Sequence, residues 1–249
     1  MSATGRSRTQ LPSSDTPGPD FSKILQQPGG DAIPLTVIVM LLWINGPFGG
    51  GKSSTARELH RRLPGSLICD PEQLGFGFQR MLPAGLRRDF QDFPAWRLGV
   101  REVLDLILRS ADGPVIVPMT LIEPGYFAEI IGGLTEDGHD VRHFALLTEA
   151  RVIERRLRER AVVHAIQRLR GRDAPLFRET FAMRKLGLCL GRLSQPEFAT
   201  QVRTDGLTVA QVAEAIAAAA GLELGPHRGT AAGDRLWSAG RGLRHALTG

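Results

Sequence analysis

The chain of 249 residues and 27.1 kDa is long enough for one sizeable α/β domain and short for two. Its 42% hydrophobic and 23% charged residues supply a core and exclude the compositions of disordered and collagen-like chains. The net charge of +5 is local, because the stretch from Glu149 to Lys185 holds 11 basic and 5 acidic residues and the remainder is close to neutral, so the high pI is not a chain-wide polyanion-binding surface.

Residues 1 to 32 are rich in Ser, Thr, Pro, Gly and Gln and predict a disordered leader. The longest apolar run, Ile33 to Ile44, is shorter than the ~20 residues of a membrane helix. It is followed by Asn45-Gly46-Pro47-Phe48 with no small-x-small cleavage pattern, which argues against a signal peptide. Cys69 and Cys189 are the two cysteines and form no disulfide framework or metal-cluster spacing. These features predict a cytoplasmic protein.

Short apolar runs then alternate with helical patterns. Strands are predicted at Leu35 to Ile44, Ser66 to Cys69, Val115 to Met119, Val141 to Leu147 and Gln201 to Arg203. Helices are predicted at Ser53 to Leu63, Glu72 to Leu82, Ala95 to Ala111, Pro124 to Asp137, Glu149 to Arg160, Leu176 to Leu193 and Thr208 to Ala220. Pro64-Gly65, Asp112-Gly113-Pro114 and Asp137-Gly138 supply helix stops. The alternation predicts an α/β three-layer sandwich with a five-stranded parallel sheet. Arg160 to Pro175 crowds basic residues without an apolar stripe and reads as mobile, and residues 225 to 249 read as a flexible tail.

Between the first strand and the first helix, Gly46-Pro47-Phe48-Gly49-Gly50-Gly51-Lys52-Ser53 fits G-x-x-x-x-G-K-[ST]. Composition alone gives this pattern an expectation of about 0.004 per chain of this length, before the strand-loop-helix context is required. Glycines let backbone N–H groups turn inward around phosphates at a helix N-terminus. Lys52 would reach the β- and γ-phosphates of ATP, the Ser53 hydroxyl would ligate Mg²⁺, and Ser54 continues the loop into the helix. The competing reading is an ordinary glycine turn.

The wider pattern carries a resemblance. Trp43-Ile44-Asn45-Gly46-Pro47-Phe48-Gly49, Asp70-Pro71-Glu72, Asp89-Phe90-Gln91-Asp92-Phe93, Val115-Ile116-Val117-Pro118-Met119-Thr120 and Gly138-His139-Asp140-Val141-Arg142-His143-Phe144 resemble the ATP-binding tunicamycin-resistance protein family. Its members look like P-loop kinases of the nucleoside-monophosphate-kinase type, and the resemblance covers Leu35 to Leu222. It implies a kinase-like ATP-binding domain over 33 to 224, bound ATP with Mg²⁺, and a small-molecule acceptor or antibiotic in the neighbouring cleft. The basic segment at about 155 to 175, which would be the lid, is longer and more basic than the family pattern.

Asp70 follows the second strand, at the sheet edge where open α/β folds place ligands. In similar kinases that position holds a carboxylate that takes the acceptor's proton or orients Mg²⁺ through water; the alternative is a cap for the helix that Pro71 opens. No acidic residue ends the third strand, where Thr120 stands and lines the cleft. Arg155, Arg156, Arg158 and Arg160 fall where a helix enters the lid, with Arg155 and Arg158 the candidates to neutralise charge on a transferring phosphoryl group. Their competing reading is a solvated face paired with Glu154 and Glu159. Thr204-Asp205-Gly206 follows the last strand; in similar folds that loop, with Asp205, approaches the adenine, and a plain turn is the competitor.

Trp96 and Arg97 lie on the helix that in similar kinases borders the acceptor cleft, and core packing is the competing reading for Trp96. Gly75-Phe76-Gly77-Phe78 reads as a packed helix segment. His139 and His143 share a strand face but lack a third converging ligand for a metal. The predicted function is an ATP-dependent small-molecule phosphotransferase. Two rivals are a non-catalytic protein that sequesters a drug when ATP is bound, and a nucleic-acid-end kinase using the basic segment. Nucleic-acid and peripheral membrane partners have no motif behind them.

Overall fold

The computed structural model describes residues 39–169, 177–198 and 200–227. The predicted leader, most of the C-terminal tail, and residues 170–176 of the basic segment lie outside them.

Five strands form one parallel sheet in the order β2-β3-β1-β4-β5. Strand β1 (Leu41–Asn45) is central and wholly buried. It pairs with β3 (Val115–Pro118) in the register Leu41 to Val115 and with β4 (Val141–Leu147) in the register Leu41 to Val141. The edges are β2 (Leu67–Ile68) and β5 (Gln201–Arg203). A parallel sheet is covered on both faces, so its central strands are apolar throughout rather than alternating with polar residues.

The period-two alternation of β1 divides the core. Leu42 and Ile44 pack with Ala56 and Leu59 of α1 (Lys52–Arg62) and with Val212, Ala213 and Ile216 of α8 (Val209–Ala220). Leu41 and Trp43 face Trp96, Val100 and Leu104 of α3 (Pro94–Ser110) and Ile130 and Leu134 of the α4–α5 run. That run begins at α4 (Pro124–Phe127), passes through a wider π-helical turn (Ala128–Gly132) and ends in α5 (Gly133–Glu136). Thr208 and Gln211 form a reciprocal capping box that starts α8.

Two predicted boundaries move by more than two residues. The first strand starts at Leu41, and 35–38 lie outside the described residues. More informative is α6 (Ala150–Leu169), which continues nine residues beyond the predicted stop at Arg160. Between Arg160 and Leu169 there is neither Gly nor Pro, and Arg, Ala, Gln and Leu are good helix formers, so intrinsic propensity carries the helix where no apolar stripe does. The helix α7 (Phe177–Leu193) packs back on α6 through Ile153, Leu157, Ala182 and Leu186.

Because β1 has β3 on one side and β4 on the other, the chain winds in opposite senses from it, and the crevice at its carboxyl end is a topological switch point. Among the described residues no helix is long and apolar enough to cross a membrane.

Candidate functional site

The loop leaving β1 at this crevice is Gly46 to Gly51, and α1 begins at Lys52. Gly51 holds φ at 101°, a left-handed conformation that favours glycine and turns the chain into the helix. At Gly50 a Cβ would sit 2.9 Å from the Pro47 carbonyl oxygen, so the tight turn itself requires glycine. The Gly50 amide is spent on Pro47 O (3.0 Å), whereas the amides of Gly49, Gly51, Lys52 and Ser53 find no acceptor among the described residues. These four donors lie at and just before the positive, N-terminal end of α1, an arrangement suited to an anion.

Lys52 is 7% exposed. Its Nζ donates to the carbonyls of Gly46 (3.0 Å) and Pro47 (3.1 Å) and lies 5.2 Å from the Phe48 ring centroid. Burial lowers its pKa, while Glu72 and Asp70 oppose that shift. Ser53 is exposed in the first turn of α1, and Ser54 is partly exposed beside it.

The loop is held from behind. Asn45, fully buried at the end of β1, accepts from the amides of Gly46 (2.9 Å) and Leu121 (3.0 Å) and donates to Leu121 O (2.6 Å). Thr120 Oγ1 donates to Gly46 O at 2.7 Å, so this threonine, predicted only to line the cleft, latches the loop. The residues after β3 are thereby joined to the start of the phosphate loop, continuing the sheet through side chains.

On one side of the loop stands Asp70, partly buried between β2 and α2 (Glu72–Met81). Its Oδ1 accepts from the Glu72 amide at 3.0 Å, the capping role. Its charge also reaches Lys52 and Arg57, raising the pKa of each against the desolvation that lowers both. Next to it the segment Asp89 to Phe93 is fixed at every residue: Asp89 by Lys185 of α7 (3.0 Å), Phe90 by Trp96 (centroids 5.1 Å apart), Gln91 by the Thr120 carbonyl (3.0 Å), Asp92 by the Tyr126 hydroxyl (3.1 Å) and Phe93 by Phe78. Arg97 is buried, pairs with Glu129 (2.5 Å), donates to Gln91 O (2.6 Å) and stacks on Tyr126.

The α6–α7 hairpin covers the other side. Phe48 of the loop packs into its apolar seam, and a Cβ at Gly49 would touch Ile153 and Leu157 at 3.4 Å. Arg155 and Arg158, the candidates chosen from sequence, engage neighbours on their own helix rather than the loop: Arg155 faces Glu159 (3.9 Å) and Arg158 pairs with Glu154 (3.2 Å), each about 71% exposed. Arg156 instead donates to the Gly49 carbonyl at 3.2 Å. Desolvation first, and Arg155 second, lower its pKa, and Arg160 acts electrostatically on Lys52. Ile153 and Leu157 mark the face of α6 that packs on α7, and Arg156 and Arg160 lie along that face.

Arg155 and Arg156 also line a cavity of about 420 Å³ with Glu149, Thr204, Asp205 and Gly206. Asp205 accepts from the Glu149 amide at 2.8 Å, and the buried hydroxyls of Thr148 and Thr204 meet at 2.6 Å. Of the two histidines, His139 pairs with Asp105 (2.7 Å) and His143 contacts Asn45 (3.1 Å).

A glycine loop leading into α1, a buried lysine that donates to its carbonyls and a five-stranded parallel sheet with β1 at its centre define a P-loop protein of the nucleotide-kinase-like class. Residues 41–172 match the AAA domain family. The chain is 34% identical to the tunicamycin resistance protein of Deinococcus radiodurans, over 76% of this chain and 100% of that one, with a TM-score of 0.60. It belongs to the tunicamycin resistance protein family. Other solved structures that match are a gluconokinase from Sinorhizobium meliloti 1021 (13% identity, 82% and 98% of the two chains, TM-score 0.48) and the APS kinase of Mycobacterium tuberculosis (18%, 72% and 96%, 0.45). No curated protein matches the chain.

Proposed function

We propose that the protein is a cytoplasmic phosphotransferase that moves the γ-phosphoryl group of ATP to a hydroxyl of a small molecule, with a nucleoside-like antibiotic as the candidate acceptor. The observation that carries the reading is the set of unspent amides at Gly49, Gly51, Lys52 and Ser53 around the buried Lys52 ammonium, with Asp70 beside it.

The amides hold the β-phosphate, and Lys52 exchanges its two loop carbonyls for phosphate oxygens. Asp70 orients the acceptor hydroxyl and takes its proton as the oxygen bonds to the γ-phosphorus and the bond to the ADP oxygen breaks. Arg156, already on the lid side of Gly49, neutralises charge on the transferring group, a role that replaces the earlier assignment to Arg155 and Arg158. The cavity beside Asp205 accepts the base of the nucleotide.

The donor set fits Mg²⁺ in a limited way. The exposed Ser53 hydroxyl is a hard oxygen ligand next to the phosphate amides, and no carboxylate follows β3, so phosphate oxygens and water would complete the shell. When bound, the ion would neutralise phosphate charge.

A second reading has its own observation. Asp70 Oδ1 is engaged in capping α2, and Thr120, where many P-loop proteins carry an acid, is spent on Gly46 O. Both fit a protein that closes on an antibiotic when ATP is bound and leaves it unmodified. Incubation with Mg·ATP and uridine-containing antibiotics, followed by mass spectrometry, separates the two. Transfer predicts an acceptor heavier by one phosphate and one ADP formed per product; an unmodified ligand with ATP-dependent affinity supports sequestration.

A further inference from the structure

We propose that His143 is a positioning residue for the phosphate loop, its unprotonated Nε2 setting the carboxamide of Asn45 that anchors Gly46 and Leu121. This rests on the nucleotide-binding reading of that loop and assigns a function to a residue one strand away from it.

The argument starts from which way the Asn45 amide must face. The Gly46 and Leu121 amides are donors, so the atom they share is the oxygen; the Leu121 carbonyl is an acceptor, so the atom facing it is the nitrogen. Backbone groups fix the orientation. The remaining N–H of the Asn45 amide then points at His143 Nε2, 3.1 Å away, and an amide N–H needs an acceptor there. The imidazole must be neutral with its proton on Nδ1.

The surroundings favour that state. Asn45 and His143 lie on the same face of adjacent strands, since Asn45 pairs with Ala145 and side chains alternate. The ring stands edge-on to Phe127 (centroids 4.9 Å apart) and beside Phe198 (5.9 Å), neither of which titrates. Burial alone lowers its pKa to about 4. Protonating Nε2 would set donor against donor. Turning Asn45 over to relieve that contact would put its NH₂ against the two amides and its oxygen against the Leu121 carbonyl, breaking three hydrogen bonds at the root of the loop.

Two measurements test this. In the unmodified full-length chain, ¹⁵N chemical shifts of His143 at neutral pH should report an unprotonated Nε2 and a protonated Nδ1; the opposite tautomer or an imidazolium overturns the proposal. Mg·ADP affinity is then measured for His143→Phe and His143→Gln, and for His143→Phe in an Asn45→Ala background. Phe keeps the packing and removes the acceptor, which should weaken binding about fivefold, the weight of one buried hydrogen bond. Gln, whose Oε1 can stand where Nε2 does, should restore affinity to within about twofold, and the Phe change should have no further effect without Asn45. Unaltered affinity in His143→Phe, or an equal loss with Asn45 absent, overturns the proposal. If the variants do not fold, the tautomer decides it. Failure of the unmodified chain to bind Mg·ADP rejects the nucleotide reading, and the positioning role with it.

Discussion

Replacing Lys52 by Met separates the cost of burying an ammonium from its use. Its two hydrogen bonds to Gly46 O and Pro47 O each contribute about 1.5–3 kcal/mol as charged bonds. Desolvating the ammonium costs several kcal/mol, so the sum is near zero. Neither carbonyl is orphaned by the change, because Gly46 O keeps the Thr120 hydroxyl (2.7 Å) and Pro47 O keeps the Gly50 amide (3.0 Å). Methionine fills nearly the same volume, so the unliganded variant should stay within about 1 kcal/mol of the parent. Nucleotide should then separate the two proteins. At 100 times its Kd a ligand stabilises the folded state by about 2.7 kcal/mol. For a domain of this size that is a rise of roughly 5–10 °C in Tm.

The assay is thermal unfolding with and without Mg·ADP, and the parent alone should show the rise. Equal rises in both proteins would refute the role of Lys52. Loss of several kcal/mol in the unliganded variant would refute the energetic balance. A pH series adds a sign. Burial lowers the Lys52 pKa from 10.5, so the unfolded chain binds this proton more tightly. The parent should gain stability relative to the variant as pH rises through the folded pKa toward 10.5.

At Gly75 a Cβ would lie 2.5 Å from the Phe90 ring, so Gly75→Ala should destabilise by about 1–3 kcal/mol in urea unfolding. Gly77, in the same helix with nothing within 4 Å, should gain about 0.5–1 kcal/mol as Ala; equal effects would contradict the packing described. Arg156→Ala should weaken Mg·ATP binding about tenfold or more, measured by calorimetry, with Arg158→Ala near the parent, and a reversed ranking would return the role to the outer face of α6. The His143 pKa falls from 6.5 to about 4 on folding, so its contribution is complete above pH 6.5 and is lost as pH drops toward 4. His143→Gln should flatten that part of a denaturation profile.

The sheet and the loop after β1 are legible in the sequence because their signals are local. Leu41 to Ile44 is apolar on both faces, and three consecutive glycines precede a lysine that opens an amphipathic helix. Right-handed crossovers fix the hand of each connection between parallel strands, while the order β2-β3-β1-β4-β5 comes from the structure. Less legible is whatever joins distant segments. Asn45 meets Leu121 across 76 positions, Lys185 meets Asp89 across 96, and no pattern in either segment marks its partner. The choice between Arg156 and the pair Arg155 and Arg158 depends on the rotation of α6, which Ile153 and Leu157 set by packing on Ala182 and Leu186 of another helix. The extension of α6 to Leu169 is obscured in the sequence by its charge, since the segment has no amphipathic period and propensity supplies the helix. His143, read only against a metal site, takes its role from a neighbour on another strand.

The central claim is that the amides and ammonium at the carboxyl end of β1 hold a nucleotide polyphosphate. Isothermal titration of ATP into the purified chain, with and without Mg²⁺, tests it most directly. One molecule bound per chain, more tightly with the ion and lost in Lys52→Met, is the predicted result. No heat of binding under either condition, or binding that the Lys52 variant retains in full, would contradict it.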